Sequence, residues 1–343
     1  MQRLDNETES VELSVIVVTY NRDEPLQQTL ECLLKQDPAP REVIVVDQSR
    51  KHDSKTQQFL DDAIERQQIK YIFQTEPNAQ RARNRAIAEA CGEVLLFVDD
   101  DVVMDEHLVG AHWKNYADPA LAAVCGFYTE PGEVALDELP DDCKGPITGW
   151  VYFPHCYTKR VECYLLPTCN GSIRREVAMQ LGGFDENYTY THFDDTDFSC
   201  RLKKLGAKAV HDPKARLVHL KEMAGGKRPG AVNEHIIADS NRWYTWCYFF
   251  WVNFRWQGRH EIARRLRTSV FRRVNIVRPW YLVVAFLHFL KGAARAAIAI
   301  RGGRKLAAFS QEQRGKSKVP GEREKPASVE SQLVSPSTST SRS

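Results

Sequence analysis

The sequence has no CxxC pair: its nine cysteines are odd in number and scattered from Cys32 to Cys247. That disfavours a disulfide framework and a zinc ribbon, and it suits reduced thiols in the cytoplasm. No GxGxxG and no GxxxxGK[ST] follows an apolar run, which disfavours dinucleotide binding and P-loop chemistry. Met1 to Ser10 is polar and acidic with no apolar stretch, so neither a secretory signal nor an amino-terminal anchor is expected, and the body is expected to stay in the cytoplasm. No internal repeat is present. Nor is there an excess of one charge: 47 Lys and Arg face 45 Asp and Glu, a net +2, which by itself points neither to nucleic acid nor to an acidic partner.

With 43% hydrophobic residues in 343, the chain has ample material for a packed core. One catalytic domain with appendages fits the length. The balanced net charge hides an asymmetry: Arg255 to Phe309 carries thirteen Arg and Lys against the single acid Glu261, a surplus of +12 that leaves −10 for the rest.

Leu13–Val18 (LSVIVV) and Glu42–Val46 (EVIVV) are short β-branched runs suited to strands buried on both faces. Between them Pro25 opens a helix carrying Leu26, Leu30, Leu33 and Leu34 at helical spacing, and Asp37-Pro38 ends it. The alternation continues with helices near Thr56–Arg66 and Arg81–Cys91 and strands at Lys70–Phe73 and Val94–Val98. It predicts an α/β fold with a mostly parallel central sheet and helices on both faces. In such sheets ligands bind at the carboxyl ends of the strands, here Thr19–Asp23, Asp47–Asp53 and Asp99–Asp101. Glu130–Pro167 reads as a long loop or small insertion, Asp195–Leu205 as a short helix stopped by Gly206, and Ala215–Leu220 as a strand.

Three consecutive carboxylates at a strand end, Asp99, Asp100 and Asp101, repel one another unless a cation offsets them, and oxygen ligands suit Mg²⁺ or Mn²⁺ with substrate phosphates. In isolation the same triplet is a solvated acidic turn. Asp47 ends the second strand where it can accept from a base or ribose, or simply cap a helix. Arg81, Arg83 and Arg85 begin the next helix, placed for phosphate or for the surface. Asp194, Asp195 and Asp197 open the short helix, where its dipole favours anions; mutual repulsion can also raise one of them into use as a general base. His219 is a further metal ligand or phosphate contact, or plain strand packing. His155, Cys156, Cys163 and Cys169 lack zinc-site spacing.

Taken together, SVIVVTYNR, VIVVDQS, RARNRAIAEACGEVLLFVDDD, NGSIRRE, GGFDE and DDTDFSCRL, in that order over about residues 13 to 220, resemble the motifs of family 2 glycosyltransferases with the GT-A fold. The resemblance implies one nucleotide-sugar-binding domain in which Thr19, Tyr20 and Asn21 hold the nucleoside, Asp47 reads the base and Arg83 meets diphosphate or base. It implies that Asp99, Asp100 and Asp101 form the DxD region, where Asp99 and Asp100 bind the nucleotide sugar and Asp99 and Asp101 a divalent cation, Mn²⁺ or Mg²⁺; His219, by its own placement, is a candidate third ligand. Asp195 matches the catalytic base. Asp194 stands where the family usually has Glu, so the base is one of this pair, and Gln48 replaces a more usual Asp. Asn170, Gly171 and Gly183 would shape the acceptor side.

The implied reaction is a single inverting displacement from a nucleoside-diphosphate sugar (UDP by default, dTDP or GDP otherwise) to a hydroxyl of a glycan or lipid-linked acceptor. A sugar nucleotidyltransferase and a non-catalytic nucleotide-sugar-binding protein are the alternatives. The aromatic run Trp243–Trp256, the Arg-rich segment and Trp280–Leu290 suit attachment to an anionic membrane surface at its cytoplasmic face. The last stretch has only eleven residues before Lys291, short of the roughly twenty needed to span. No nucleic-acid recognition module accompanies the arginines. The expected divisions are a polar leader 1–12, the catalytic domain 13–238, an aromatic and basic helical extension 239–309, and a disordered tail 310–343.

Overall fold

The computed structural model describes residues 10–139, 155–189, 193–222, 225–226, 239–270 and 279–315. Its first half follows the alternation in the sequence: β1 (Val11–Thr19), α1 (Glu24–Leu33), β2 (Pro40–Asp47), α2 (Ser54–Glu65), β3 (Lys70–Phe73), α3 (Ala79–Glu89) and β4 (Val94–Val98). Local chemistry fixes the helix starts. Pro25 occupies the first turn of α1, the Asp53 carboxylate accepts from the Thr56 N–H at 2.7 Å, and the Asn78 side chain accepts from the Arg81 N–H at 2.9 Å. Leu26, Leu30 and Leu33 of α1 are fully buried against one face of the sheet, each contributing roughly 1.5–3 kcal/mol of transfer free energy.

Strands β1 to β4 are parallel, and their register levels the carboxyl ends: Thr19 lies beside Asp47 and Val17 beside Val98. The other half of the sheet is mixed. It holds β5 (Val102–Val103), β6 (Leu121–Thr129), β7 (Val161–Glu162), β8 (Asn170–Arg174) and β9 (Lys208–His219), with α4 (Leu108–Trp113) between β5 and β6. The spatial order is β3-β2-β1-β4-β8-β6-β9-β5, with β7 also on β9. Strand β8 runs antiparallel to both β4 and β6, so the sheet is half parallel rather than mostly parallel.

Asn170 and Gly171, expected to shape the acceptor side, open this central strand. All five β8 residues are buried in mid-sheet, and a Cβ at Gly171 would come within 2.5 Å of the Pro167 carbonyl oxygen. Strand β9 begins at Lys208, well before the expected Ala215, because the Asp212-Pro213 interruption is absorbed as an irregularity against β6, between Gly126 and Phe127.

Helices α5 (Arg175–Gln180) and α6 (Asp194–Lys204) join α3 on the sheet's second face, where Ala82, Ala86, Ile87, Phe198 and Leu202 pack with Ile16, Phe97 and Ile173. A third apolar cluster lies outside the sheet, between α7 (Ser240–Ser269) and α8 (Pro279–Gly302). Helix α7 breaks at Arg255, whose φ is 45°. Its aromatic half is core: Trp243, Tyr244, Trp246, Tyr248, Phe249 and Phe250 are buried with Tyr188, Phe193 and Cys200. These rings are therefore not presented to lipid headgroups, contrary to the expectation for this run. Helix α8 runs on past Lys291 to Gly302, where the sequence was read as stopping at Leu290. By length and composition Trp280–Gly302 is long and apolar enough to cross a membrane. The short helix α9 (Gln311–Gly315) extends order beyond Phe309; the rest of the expected tail lies outside the described residues. The eight described cysteines are free thiols.

Candidate active site

A cavity of about 450 Å³ opens at the carboxyl ends of β1 and β4. Asp99, Asp100 and Asp101 follow β4 directly, and the sheet separates their roles. Asp100 turns inward: the Thr19 hydroxyl donates to it at 2.7 Å, and burial, against the pull of Arg22, pushes its carboxyl up to about 7. Asp101 is held by one oxygen. Its Oδ2 takes Arg22 Nη1 at 2.7 Å and the Glu222 N–H at 3.0 Å, which leaves Oδ1 toward His219 Nε2 at 3.2 Å.

His219, the last residue of β9, is paired with Val102 of β5 and also approaches Asp99 at 3.6 Å. Behind it stands Glu130, 3.8 Å from Nδ1 and ion-paired to Lys221. Burial opposes charge on this imidazole, but Asp101 and Glu130 outweigh it and raise its pKa to about 9. A cation bound at Nε2 would take the place of that proton. Asp99, Asp101 and His219 bring one donor atom each within 4.8 Å of one another. Two carboxylates and an imidazole, oriented from behind by a further carboxylate, are a donor set that fits Mn²⁺ or Mg²⁺.

Across the cavity α6 opens on Asp194 and Asp195. Asp194 is fixed: Arg83 Nη1 and Gln80 Nε2 both donate to its Oδ2, at 2.9 and 2.7 Å, and Arg83 also reaches Thr168 and lies over the Phe184 ring. Asp195 is left to the cavity, accepting from the Thr196 N–H at 2.6 Å. Burial first, and then the charge of Asp194, raise its carboxyl to about 7. One carboxylate is anchored and its neighbour is poised near neutrality, the pairing that general base chemistry requires.

Residues 14–179 match the family described as Glycosyl transferase family 2. That stretch, just under half of the chain, is a family 2 glycosyltransferase domain. It resembles the validoxylamine A glucosyltransferase of Streptomyces hygroscopicus subsp. limoneus, 33% identical over 219 residues that cover 57% of this chain and 48% of that one. It also resembles the GalNAc(5)-diNAcBac-PP-undecaprenol beta-1,3-glucosyltransferase of Campylobacter jejuni, 36% identical over 104 residues, 29% of this chain and 31% of the relative. The chain thus spans half or less of the length of these two relatives. Among solved structures, S. aureus TarS 1-349 in complex with UDP-GlcNAc superposes with a TM-score of 0.55 at 18% identity, covering 82% of this chain and 81% of that one. This likeness shows the fold, which is GT-A.

The structure gathers Thr19, Tyr20, Arg83, Asp99, Asp100, Asp101, Asp194, Asp195 and His219 around one cavity. Other residues implied by the resemblance do not line it. Both Asp47 oxygens are taken, Oδ1 by the Ser49 N–H and Oδ2 by His52 and by the Tyr71 hydroxyl, all at 2.7 Å, and the residue is fully buried. Asn21 lies in the turn after β1, with φ 51° and its N–H given to Ser49. Asn170 donates to the Phe127 and Ala215 carbonyls and faces His112, and Gly183, at φ +65°, closes a turn against Asn84.

Sequence reasoning missed Arg22, Glu130, Gln80 and Thr168. Arg22 was readable as the cation directly after TYN, and Gln80 as the residue one turn before Arg83 on α3. Nothing local marks Glu130. Glu133, His155 and Cys156 also approach within ligand range of one another, but His155 is stacked on Tyr128 at 3.9 Å and hydrogen-bonded to Glu133.

Proposed function

We propose that the chain transfers a sugar from a nucleoside-diphosphate donor to a hydroxyl of a glycan or lipid-linked acceptor, with inversion. The observation that carries the reading is the pairing across one cavity of the Asp99, Asp101 and His219 cluster with Asp195. Asp99, Asp101 and His219 would hold Mn²⁺ or Mg²⁺, which as a Lewis acid stabilises the departing nucleoside diphosphate. Arg83 and Gln80 hold Asp194. Asp195 takes the acceptor proton as the hydroxyl attacks the anomeric carbon, and no covalent enzyme intermediate is needed. Thr19 and Tyr20 line the nucleoside end, and with Asp47 internally satisfied the base is met by the cavity wall that includes Gln48 and Ala79. UDP is the first donor to try, since the TarS structure holds UDP-GlcNAc.

Incubation with UDP-, dTDP- and GDP-sugars plus acceptor and Mn²⁺ or Mg²⁺ is expected to release nucleoside diphosphate with one donor, and chelator is expected to stop it. Pyrophosphate release would replace the reading with a nucleotidyltransferase. Tight nucleotide binding without turnover on any acceptor would replace it with a binding protein.

The acceptor side of the reading places the protein on the cytoplasmic surface of an anionic membrane. One flank of α8 packs on α7 through Ala285, Gly292 and Ala296, with Phe289 edge-on to Trp243. The opposite flank exposes Trp280 (74%), Leu287 (57%) and Ile298 (69%) with Tyr281, Val283 and Leu290. A helix apolar on its outer flank, fixed along its inner one and crossed by Lys291, Arg295 and Arg301 is suited to lying in the interface rather than spanning it. The relative from Campylobacter jejuni, named for an undecaprenol-linked substrate, supports a lipid-linked acceptor. Binding to phosphatidylglycerol-containing vesicles is expected to fall at least about tenfold in Leu287→Asp/Leu290→Asp, from the loss of two apolar side chains. Unchanged sedimentation with vesicles would remove the membrane from the reading.

A further inference from the structure

We propose that Arg304 is a positioning residue for the catalytic carboxylates, acting from the carboxyl-terminal segment through Asp197; the inference rests on the reading of Asp195 as the base. Asp197 sits two residues beyond Asp195 on α6 and is fully buried. Its Oδ1 receives Arg304 Nη1 at 2.6 Å, Asn253 Nδ2 at 2.7 Å and the Tyr188 hydroxyl at 3.2 Å. Its Oδ2 receives Arg304 Nη1 at 2.7 Å and Arg201 Nε at 3.0 Å. Of these donors only Tyr188 and Arg201 belong to the catalytic domain; Asn253 comes from α7 and Arg304 from the segment after α8.

The same guanidinium reaches a second buried acid. Arg304 lies 3.4 Å from Asp185, which also accepts from the Tyr248 hydroxyl at 2.7 Å, the Lys305 N–H at 3.0 Å and the Asn187 N–H at 3.1 Å. Two backbone bonds fasten the segment in place, Glu186 N–H to the Lys305 carbonyl at 3.0 Å and Ala307 N–H to the Gly182 carbonyl at 2.8 Å. Phe193, the residue before α6, completes the arrangement. It takes a left-handed φ of 66°, its carbonyl accepts the Asp197 N–H at 2.8 Å, and its ring is stacked 4.5 Å from Phe249 of α7.

The first turn of α6 is therefore gripped from two sides. On the cavity side Gln80 and Arg83 hold Asp194; on the far side Arg304, Asn253 and Phe249 hold Asp197 and Phe193. Among the described residues Arg304 is the one cation paired with both Asp185 and Asp197. Without it these buried acids lose their shared counter-charge, and the turn that presents Asp195 is free to shift. A displacement of about 1 Å at a reacting group costs on the order of 100-fold in rate. Most of the cavity wall comes from β1, β4, β9 and α3, so donor binding is expected to change much less than turnover.

The test compares Arg304→Gln, Arg304→Lys and Asp195→Asn in the full chain, with kcat normalised to the sites that bind nucleoside diphosphate. Arg304→Gln is expected to lose roughly 10- to 100-fold in kcat per competent site with the donor KM within about twofold of the parent. Arg304→Lys is expected to recover most of the loss. If Arg304→Gln does not fold, Asp185→Asn, which removes the second carboxylate from the clamp, is expected to show the same split between kcat and KM. A parental kcat per site in the Gln variant beside an inactive Asp195→Asn would overturn the proposal alone. An Asp195→Asn enzyme as active as the parent would overturn the base assignment and the proposal with it.

Discussion

Asp195→Asn is expected to lower kcat by about three orders of magnitude, within the range that general base catalysis commonly supplies, while nucleotide binding stays within a few-fold of the parent. The pH dependence follows from its environment. Burial and the Asp194 charge raise the carboxyl to about 7, and the base works only when ionised. Turnover in the parent is therefore expected to climb as pH rises through about 7 and to level above it. Asp194→Asn removes the neighbouring negative charge and releases Arg83 toward Asp195, and both changes move the midpoint to lower pH. Stability runs the other way. A carboxyl whose folded pKa lies above its unfolded value loses stability as pH rises between the two, from the ordinary value near 3.8 to about 7. Asp195→Asn should therefore melt higher than the parent at pH 8 and lose that advantage toward pH 4. A flat rate profile from pH 5 to 9 with an active Asn variant would exclude Asp195 as the base.

The second large effect is expected at Asp101. Asp101→Ala should reduce metal-dependent turnover about a thousandfold, equivalent to the several kcal/mol that a Lewis acid contributes to the transition state. Mn²⁺ binding followed by calorimetry should weaken in parallel. The variant also strips Arg22 of its closest carboxylate and His219 of the partner that chiefly sustains its charge. Asp100→Asn is the contrasting change. Its carboxyl faces Thr19 and is already held up to about 7 by burial, so metal affinity should move little. Equal losses from both substitutions would mean that the triplet acts as a block of charge and not as a pair of aimed ligands.

The outcome at each residue depended on whether its partners were near in sequence. Strands at Lys70–Phe73 and Val94–Val98 and the acidic helix start were legible because each carries its own pattern: a run of β-branched or large apolar residues, or acids before a helical repeat. The acidic cluster at the end of β4 was legible for the same reason, since three acids ending a strand announce themselves. The partners that enclose Asp47 were not legible, because His52 lies in the following loop and Tyr71 on the neighbouring strand. Neither can be assigned to it without the fold. NGSIR carries little strand pattern, with glycine and serine in it, yet it forms a strand between two others. The aromatic run was read as a membrane face because rings beside arginines suit headgroups. Which side of a helix is covered is settled by what packs on it, and Phe193 and α8 lie far along the chain.

The pairing of Val102 with His219 means that the imidazole is measured off against the aspartates by hydrogen bonds between strands, and not by the length of chain that separates them. Residues inserted between Glu133 and Tyr157 would lengthen a connection without moving either donor. One residue added between Arg216 and His219 would turn the imidazole to the opposite side of the sheet. The scaffold can therefore exchange its long connections, and with them whatever they recognise, while the spacing of its charged centre stays constant.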